Sequence, residues 1–225
     1  MKYNTMVITG SNGATATELI RYFSTITDHV IGITRKPKVK FSQSNVETVA
    51  LDMGSHSEAE SLAQMIARKH GTLDIWINCI GGFDMGPSIQ EDRKNWERMN
   101  SVNFLTCLHG SQAALSQMSV QGSGRIINIG SKAALDGFAN AAAYLISKSS
   151  VHMLTRLIAI ETAGSGVTAN AVLPEIIDTP ANRAAMPDED FTSWQSPLQI
   201  AKSIEGVIDS DQNGELVLVD NEVAF

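Results

Sequence analysis

Short apolar runs alternate with longer amphipathic stretches along almost the whole of this 225-residue chain. Strand-helix alternation predicts right-handed crossovers and a parallel sheet that is covered on both faces. We therefore expect one α/β domain over residues 1–225, with a doubly wound, seven-stranded parallel sheet. The predicted strands are residues 5–9, 30–34, 46–51, 74–79, 125–129, 167–172 and 215–219, and the main helices are 14–25, 57–70, 96–119, 142–162 and 198–209.

One irregular stretch interrupts this alternation, from residue 174 to residue 197, and it is rich in Pro, Asp and Ser. A loop of this length in a compact domain is usually functional or disordered. It follows the sixth predicted strand, and open α/β sheets bind ligands beyond the carboxyl ends of their strands. We therefore predict that residues 174–197 form a substrate lid within the domain.

Charge and composition argue against several classes of protein. The 24 acidic and 17 basic residues are interspersed and leave a net charge of −7, whereas nucleic-acid-binding proteins favour basic patches. No apolar run approaches the ~20 residues that cross a bilayer, and the first strand begins too early for a signal peptide. Cys79 and Cys107 lie in apolar stretches without a pairing pattern, and the histidines show no metal-ligand spacing. We expect a cytoplasmic protein with reduced cysteines and no metal site.

A glycine-containing turn joins the first predicted strand to the first predicted helix and reads TGSNGATA over residues 9–16. Such a turn reverses the chain tightly and brings N–H groups at a helix N-terminus close to phosphate. Ala16 stands where a third glycine often allows close helix-strand packing. An ordinary strand-to-helix turn is the alternative. The position at the first crossover favours a dinucleotide site in a Rossmann fold, formed by Gly10, Ser11, Asn12, Gly13 and Ala14.

The end of the second predicted strand bears on the choice of cofactor. An acidic residue about 20 positions after the glycine turn would bind the ribose 2′-hydroxyl of NAD, but here Thr34 is followed by Arg35. A guanidinium offers a planar, bidentate partner for a 2′-phosphate. A solvated basic loop is the alternative. The sequence predicts NADP(H) rather than NAD(H), with Asp52 after the third strand accepting a hydrogen bond from the adenine amino group.

Tyr144 and Lys148 stand four residues apart in the predicted helix 142–162, and Ser131 precedes Tyr144 by thirteen residues. Positions i and i+4 lie on one helix face, so the ammonium can lie beside the phenol. A phenol titrates near pH ~10 in water. Because a nearby cation favours the phenolate, the pair predicts a tyrosine with a lowered pKa that can exchange protons near neutral pH.

Taken in order, these motifs resemble the short-chain dehydrogenase/reductase family over essentially the whole chain. Residues 78–81 (NCIG) look like the family's Asn-Asn-Ala-Gly turn with its middle changed, and Glu175 stands after Pro174 where the family usually has glycine. The resemblance rests on residues 9–13, Asp52, residues 78–81, Asn103, Ser131, Tyr144, Lys148, and Pro174 to Pro180.

The resemblance implies a role for each polar residue. Tyr144 would protonate a carbonyl oxygen as hydride arrives, or take a proton in the reverse direction. Lys148 would lower the pKa of Tyr144 and hold the nicotinamide ribose. Ser131 would hydrogen-bond the carbonyl oxygen and stabilise the developing alkoxide. Asn103 would hold a water that links Lys148 to solvent, and Thr179 would contact the nicotinamide carboxamide.

The resemblance also implies a homodimer or homotetramer, assembled through helices 96–119 and 142–162. Each residue has an ordinary alternative, since Ser131 could cap a helix, Asn103 could lie on a helix surface and Tyr144 could sit at a helix interface. The joint order and spacing favour catalysis. The cofactor-binding residues implied beyond the glycine turn are Thr34, Arg35, Asp52, Met53, Asn78, Gly81, Tyr144, Lys148, Pro174, Ile177 and Thr179.

A narrower resemblance covers residues 130–194, which are similar to dihydropteridine reductases. Two features depart from that group, because Thr34-Arg35 replaces an acidic residue expected for NAD and Ser131 stands where those enzymes lack serine. An apolar or flat substrate is predicted from the residues around the lid, with packing of the lid as the alternative. These residues are Phe83, Met85, Phe138, Met186, Phe191 and Trp194.

The sequence thus predicts an NADPH-dependent oxidoreductase that reduces a carbonyl, or an equivalent C=N, of a small apolar or flat substrate. One alternative is a quinonoid-dihydropteridine-type reductase. Another is a catalytically idle dinucleotide-binding regulatory protein, which the altered glycine turn and Pro174-Glu175 would favour. The intact set of Ser131, Tyr144 and Lys148 argues against the idle protein, because a mere binder needs no tuned phenol.

Overall fold

Seven parallel strands form one sheet in the order β3-β2-β1-β4-β5-β6-β7, which confirms the predicted doubly wound Rossmann fold. The structure, a computed structural model, describes residues 2–87, 90 and 92–220. The strands are β1 (Tyr3–Thr9), β2 (Thr27–Thr34), β3 (Val46–Ala50), β4 (Ile75–Asn78), β5 (Gly124–Ile129), β6 (Val167–Leu173) and β7 (Leu216–Leu218).

Helices cover both faces of this sheet. Alternate residues of each central strand point to opposite faces, so Met6 and Ile8 of β1 pack in one core layer and Val7 packs in the other. The helices are α1 (Ala14–Phe23), α2 (His56–His70), α3 (Arg93–Met99), α4 (Thr106–Gln121), α5 (Ala133–Asp136), α6 (Ala142–Glu161), α7 (Pro180–Ala185) and α8 (Pro197–Ile208). The first layer contains buried residues of α1 and α8, and the second contains residues of α2, α4 and α6.

Two elements differ from their sequence-based prediction. The predicted helix 96–119 is longer and is interrupted, because a π-helical stretch, Asn100–Leu105, joins α3 to α4. Residues 174–197 are not uniformly irregular. They contain α7, which begins at the side-chain cap of Thr179, and a short 3₁₀ turn, Phe191–Ser193. Side-chain caps of this kind are local contacts that a reading of apolar periodicity does not detect.

Within residues 2–87, 90 and 92–220, no helix combines the length and apolar character that a bilayer crossing requires. In the same part of the chain, no three His, Cys, Asp or Glu side chains come close enough together to hold a metal ion.

Candidate active site

The carboxyl ends of β1, β4, β5 and β6 meet at one edge of the sheet, and the predicted site residues gather there. Ser131 follows β5 and is buried, at 4% exposure. Tyr144 and Lys148 lie one turn apart on α6. The Ser131 side chain lies close enough to the Tyr144 phenol to act on its pKa. The structure therefore brings the predicted serine and tyrosine together.

The pKa of Tyr144 shifts in the direction opposite to the prediction. Burial raises this pKa above its ordinary value, and the neighbouring Ser131 hydroxyl only partly offsets the increase. The Phe83 ring packs edge-on against the phenol, with ring centroids 4.9 Å apart, and contributes an apolar surface. A buried phenol holds its proton because the phenolate is poorly solvated there. The tyrosine is thus stored in the protonated form that a general acid requires.

Lys148 does not lower the pKa of Tyr144 in this structure, although the sequence predicted that it would. Its side chain is 6% exposed, and its ammonium donates a hydrogen bond of 2.8 Å to the carbonyl of Ile129. Burial lowers the pKa of Lys148. Gly81 lies directly beside it, since a Cβ at that position would approach the Lys148 Nζ to 3.4 Å. The ammonium is held at the end of β5 by the backbone rather than by the phenol.

Asn103 lies in the π-helical stretch and is 1% exposed. Its amide pairs with the backbone of Gly82, accepting from the N–H at 2.8 Å and donating to the carbonyl at 3.0 Å, and donates a further bond of 3.0 Å to Ser147 Oγ. The side chain therefore fastens the loop after β4 to α6. The water-holding role predicted for Asn103 stays a prediction.

The Asn78 side chain is buried inside the protein, whereas a side chain that binds a cofactor is expected in the cleft. Its amide accepts from Trp76 Nε1 at 2.9 Å and donates to Asn128 Oδ1 at 2.8 Å and to Ser111 Oγ at 3.0 Å. Asn128 in turn donates to Thr155 on α6. This buried network joins β4 and β5 to α4 and α6, so the Asn78 side chain holds the layers together and has no amide group left for a ligand.

The glycine turn has the backbone that the sequence predicts. Gly10 has a φ of +83°, and a Cβ there would lie 3.3 Å from the carbonyl oxygen of Cys79. Gly13 is the N-cap of α1 with no side-chain cap, and no acidic residue lies in the first turn. The first N–H groups of that helix have no partner within the helix. An anion such as a dinucleotide pyrophosphate fits this end of α1, at Ala14.

Ser11 and Asn12 face away from that position. The Ser11 side chain lies against Gly32, where a Cβ would approach it to 2.8 Å. The Asn12 amide donates to Thr34 Oγ1 at 3.0 Å and to the Lys36 carbonyl at 2.7 Å, and accepts from the Lys38 N–H at 2.9 Å. Asn12 thus anchors the basic loop after β2, which bears the exposed side chain of Arg35.

The residues after β3 serve local structure. Asp52 accepts a hydrogen bond of 2.9 Å from the N–H of Gly54 within its own turn. Met53 is 1% exposed and packs in the second core layer, so its side chain does not reach a cofactor. Its carbonyl lies 3.0 Å from Nδ1 of His109. Of the two predicted cofactor-binding residues after β3, only Asp52 has an exposed side chain.

The base of the predicted lid is held by its own hydrogen bonds. The Thr179 hydroxyl caps α7 by accepting from the Asn182 N–H at 3.2 Å, and the Ile177 carbonyl accepts from the Asn182 amide at 2.8 Å. The Pro174 carbonyl accepts from the N–H of Lys132 at 2.9 Å. Lys132 and Glu175 also form an ion pair. The unusual glutamate therefore links the lid to the segment that follows Ser131.

The predicted substrate residues divide into two groups. Phe83 and Phe138 are 54% and 45% exposed and lie 6.4 Å apart by ring centroids, and Phe83 also packs against Tyr144. Trp194 is 8% exposed and packs against Phe191 at 4.7 Å, which makes it an anchor of the lid. Met85 is exposed, and Met186 is partly buried. The aromatic pair is the wall that a flat substrate would meet.

We expect the tyrosines of the folded, cofactor-free protein to ionise late. Tyr3 and Tyr22 have pKa values raised to about 12, chiefly by burial at Tyr3 and by the hydrogen bond to Glu205 at Tyr22, and Tyr144 is raised by burial. At pH ~10 a phenol in the unfolded chain is half ionised. Absorbance at 295 nm should show much less phenolate at that pH in the native protein than in urea. Because the unfolded chain loses these protons first, stability falls as pH rises from about 10 to 12.

The Tyr144→Phe variant identifies the contribution of the third tyrosine to this titration. A phenolate that is half formed by pH 9 in the native protein and missing from the variant would show that Lys148 lowers the pKa of Tyr144 after all.

Comparison with known proteins agrees with this geometry. The family model described as short chain dehydrogenase matches residues 4–190. The chain belongs to the short-chain dehydrogenase family. It is an NAD(P)-dependent oxidoreductase, as relatives in this family are. D-beta-hydroxybutyrate dehydrogenase of Rhizobium meliloti is 31% identical over 193 residues, which are 86% of this chain and 70% of that protein.

Other proteins are similar over shorter stretches or in fold alone. The 3beta-hydroxysteroid dehydrogenase of Mediterraneibacter gnavus is 30% identical over 143 residues, 63% of this chain and 51% of that protein. The solved structure of ElxO with NADP bound has a TM-score of 0.88 at 24% identity and covers 98% of both chains. Ligand-free aldohexose dehydrogenase of Thermoplasma acidophilum has a TM-score of 0.87 at 21% identity, covering 97% of this chain and 93% of that one.

Sequence reasoning missed two side chains of this short-chain dehydrogenase that contact its site. Ser147 bonds Asn103, and the His152 ring accepts the N–H of Ser131. His152 stands eight residues after Tyr144, which is two helical turns and hence nearly the same face. That spacing is a signal the sequence contains. The contact of Ser147 depends on the path of the π-helical stretch, which the sequence pattern does not reveal.

Proposed function

We propose that this protein reduces the carbonyl group, or an equivalent C=N, of a small apolar or flat substrate with NADPH, and that Tyr144 is the general acid. The observation that carries the proposal is that Ser131 lies next to the Tyr144 phenol at the carboxyl edge of the sheet, with Lys148 one turn away on α6. Burial keeps the phenol protonated, which suits reduction more than oxidation.

The chemistry follows from where these groups lie. The nicotinamide supplies the hydride when it is bound. A substrate oxygen next to Ser131 and Tyr144 receives two hydroxyl hydrogen bonds, which stabilise the negative charge that develops there. Tyr144 then transfers its proton to that oxygen. The Lys148 ammonium, which bonds the Ile129 carbonyl at the end of β5, lies one helical turn from the tyrosinate that remains.

Two features support NADPH as the preferred cofactor. The uncapped N-terminus of α1 suits the pyrophosphate, and the basic loop after β2 presents Arg35 beside it. Asn12 connects these two features, because it lies in the glycine turn and bonds Thr34, Lys36 and Lys38. ElxO, which has the same fold, was solved with NADP bound. Asn12 would therefore act by holding the loop rather than by touching the cofactor.

We expect Arg35→Ser to weaken NADPH binding about 10- to 100-fold, since a hydrogen bond to a charged group contributes about 1.5–3 kcal/mol. NADH has no 2′-phosphate, so its affinity should not fall. Titrations followed by cofactor fluorescence measure both constants. Arg35→Lys is the matched control, because it keeps the charge and loses only the bidentate geometry, and an intermediate affinity is expected. Equal losses for NADPH and NADH would contradict this assignment.

The aromatic wall supports the substrate class. Phe83, which packs against Tyr144, and its neighbour Phe138 expose about half of their surface, and an apolar ring or chain would cover that surface. Two relatives are named for a hydroxybutyrate, which is a small hydroxy acid, and for a hydroxysteroid, which is a large and mostly apolar molecule. The flat wall also suits a quinonoid dihydropterin, which keeps the dihydropteridine-type activity as the second candidate.

A homodimer or homotetramer is part of the proposal. The outer face of α6 carries a stripe of exposed apolar side chains at helical spacing, and an equivalent helix of a second copy would cover it. Sedimentation velocity measures the assembly. The stripe consists of Ile146 (56% exposed), Met153 (55%), Leu157 (47%) and Ile160 (71%).

A cytoplasmic location also stays a prediction, supported by Cys79 and Cys107, which are both free.

The test of this function is an NADPH-oxidation screen over ketones, aldehydes, keto acids, quinones and quinonoid dihydropterin. Turnover of carbonyl compounds with an apolar body is the expected result. Rapid reduction of the dihydropterin with little activity on the others would select the second candidate. No turnover by a protein that binds NADPH would instead support a regulatory protein.

A further inference from the structure

A histidine that the proposed mechanism does not use lies against the catalytic serine. His152 follows Tyr144 and Lys148 on the same face of α6, at spacings of eight and four residues, and is 5% exposed. Its Nε2 lies 3.3 Å from the backbone nitrogen of Ser131, which donates its N–H to the ring. Gly130 makes room for the ring, since a Cβ at that position would approach Nε2 to 2.6 Å.

The hydrogen bonds of residues 130–132 show what this contact does. The Gly130 N–H donates to the Val172 carbonyl at 2.9 Å, and the Lys132 N–H donates to the Pro174 carbonyl at 2.9 Å. Successive amides of an extended segment point to opposite sides, so the Ser131 N–H faces away from β6. The pairing of β5 with its other neighbour, β4, ends at Asn128. Because β4 no longer pairs with the chain at Ser131, the His152 ring accepts the Ser131 N–H in place of a β4 carbonyl.

We propose that His152 is a positioning residue, which fixes the backbone of Ser131 so that the serine hydroxyl faces Tyr144. This inference rests on the proposed function, because it concerns the orientation of the serine in that reaction. Without the ring, a buried N–H would be left unpaired at the point where β5 ends, and the segment would shift to find another acceptor. The hydroxyl would then leave the place where it meets the phenol.

The ring can accept only while Nε2 is unprotonated. Burial lowers the pKa of His152 to about 4, and the positive charges of Lys148 and Arg156 add to the effect. The imidazole is accordingly neutral near pH 7, with its proton on Nδ1 and its lone pair on Nε2. The residue carries no charge to the site and acts only as an acceptor of fixed position.

The first test needs no substrate. Nitrogen-15 NMR of the cofactor-free protein should show the His152 ring as the Nδ1–H tautomer and still neutral at pH 6. A ring with its proton on Nε2, or a ring that is charged at pH 6, could not accept from Ser131. Either result would overturn the inference.

The second test is a double-mutant cycle on the best substrate of the screen. His152→Leu fills a similar volume without an acceptor and should lower kcat about 10- to 100-fold, the size of effect that a misplaced catalytic group produces. His152→Gln, whose side-chain oxygen reaches the place of Nε2, should stay within about threefold of the native kcat. NADPH affinity should not change in either variant. In a Ser131→Ala background, His152→Leu should cause no further loss.

The outcomes separate the possible roles. If the two losses multiply in the double variant, His152 acts independently of Ser131 and the inference is wrong. Equal rates for His152→Leu and the native protein would also overturn it. If His152→Leu does not fold, His152→Asn replaces it, because the shorter Asn amide does not reach the position of Nε2. A kcat of His152→Asn well below that of His152→Gln supports the inference. Equal kcat values for the two variants refute it. Failure of the proposed function itself has another signature, namely full turnover after Ser131→Ala.

Discussion

Tyr144→Phe lowers kcat about 10³-fold, within the range that a positioned general acid contributes. The substitution removes one hydroxyl from a side chain whose phenol lies next to Ser131 and packs against Phe83. The ring itself remains, so the aromatic wall and the path of α6 are retained. NADPH affinity should stay within about tenfold, because only one potential hydrogen bond to the cofactor is lost.

Initial rates of NADPH oxidation and a fluorescence titration of NADPH measure the two quantities on the same preparation. Tyr22→Phe is the matched control. Tyr22 lies on α1 and its hydroxyl bonds Glu205 of α8, far along the chain from the proposed site. That variant should lose stability without losing kcat. Native turnover by Tyr144→Phe would remove the general acid from the proposal, and a parallel loss of NADPH binding would show a structural role.

Gly110→Ala destabilises the native protein by about 2–4 kcal/mol, because overpacking and broken buried hydrogen bonds outweigh the better helix propensity of alanine. Gly110 lies on α4 where the helix meets β4. A Cβ there would overlap Asn78 Oδ1 and lie 2.8 Å from Trp76 Nε1. Those two atoms are hydrogen-bonded to each other in the buried network. Neither can move without leaving its partner unpaired.

Gly206→Ala supplies the opposite control. Gly206 is also a helical glycine, on α8, but no atom lies within 4 Å of an added Cβ. The same substitution should therefore stabilise the protein by about 0.5–1 kcal/mol, through helix propensity alone. Urea unfolding followed by circular dichroism gives both free energies of unfolding. A neutral Gly110→Ala would mean that α4 can move away from β4 and that the network is not tightly packed.

Much of the fold was predictable because its signals are local. Apolar periodicity located α6 to within one residue, at Ala142–Glu161 against a predicted 142–162. The strand-helix alternation predicted the parallel sheet, since crossover connections leave few other arrangements. The π-helical stretch and the caps at Thr179 and Ser196 were not predicted, because they depend on contacts that apolar periodicity does not report.

The candidate site was predicted less completely than the fold. Ser131, Tyr144 and Lys148 come together as the spacing indicated, because helix and strand geometry carries them to one edge. The cofactor contacts of Asn78 and Met53 stay a prediction. Both residues follow the chain pattern of a ligand site, yet their side chains turn into the interior. Which side of a strand end faces the cleft depends on the neighbouring layers, and a motif does not contain that information.

The order of the motifs was sufficient, without coordinates, to establish the family, the sheet and the tyrosine-lysine pair. Those features depend on residue type and on spacing along one helix or strand. Only the tertiary structure decided the pKa of Tyr144 and the hydrogen-bond partners of Lys148 and Ser131. Burial raises the pKa of Tyr144, Lys148 bonds a backbone carbonyl, and the His152 ring accepts the N–H of Ser131. A pKa depends on the solvent and charges around a group, and these are set by elements distant in the chain.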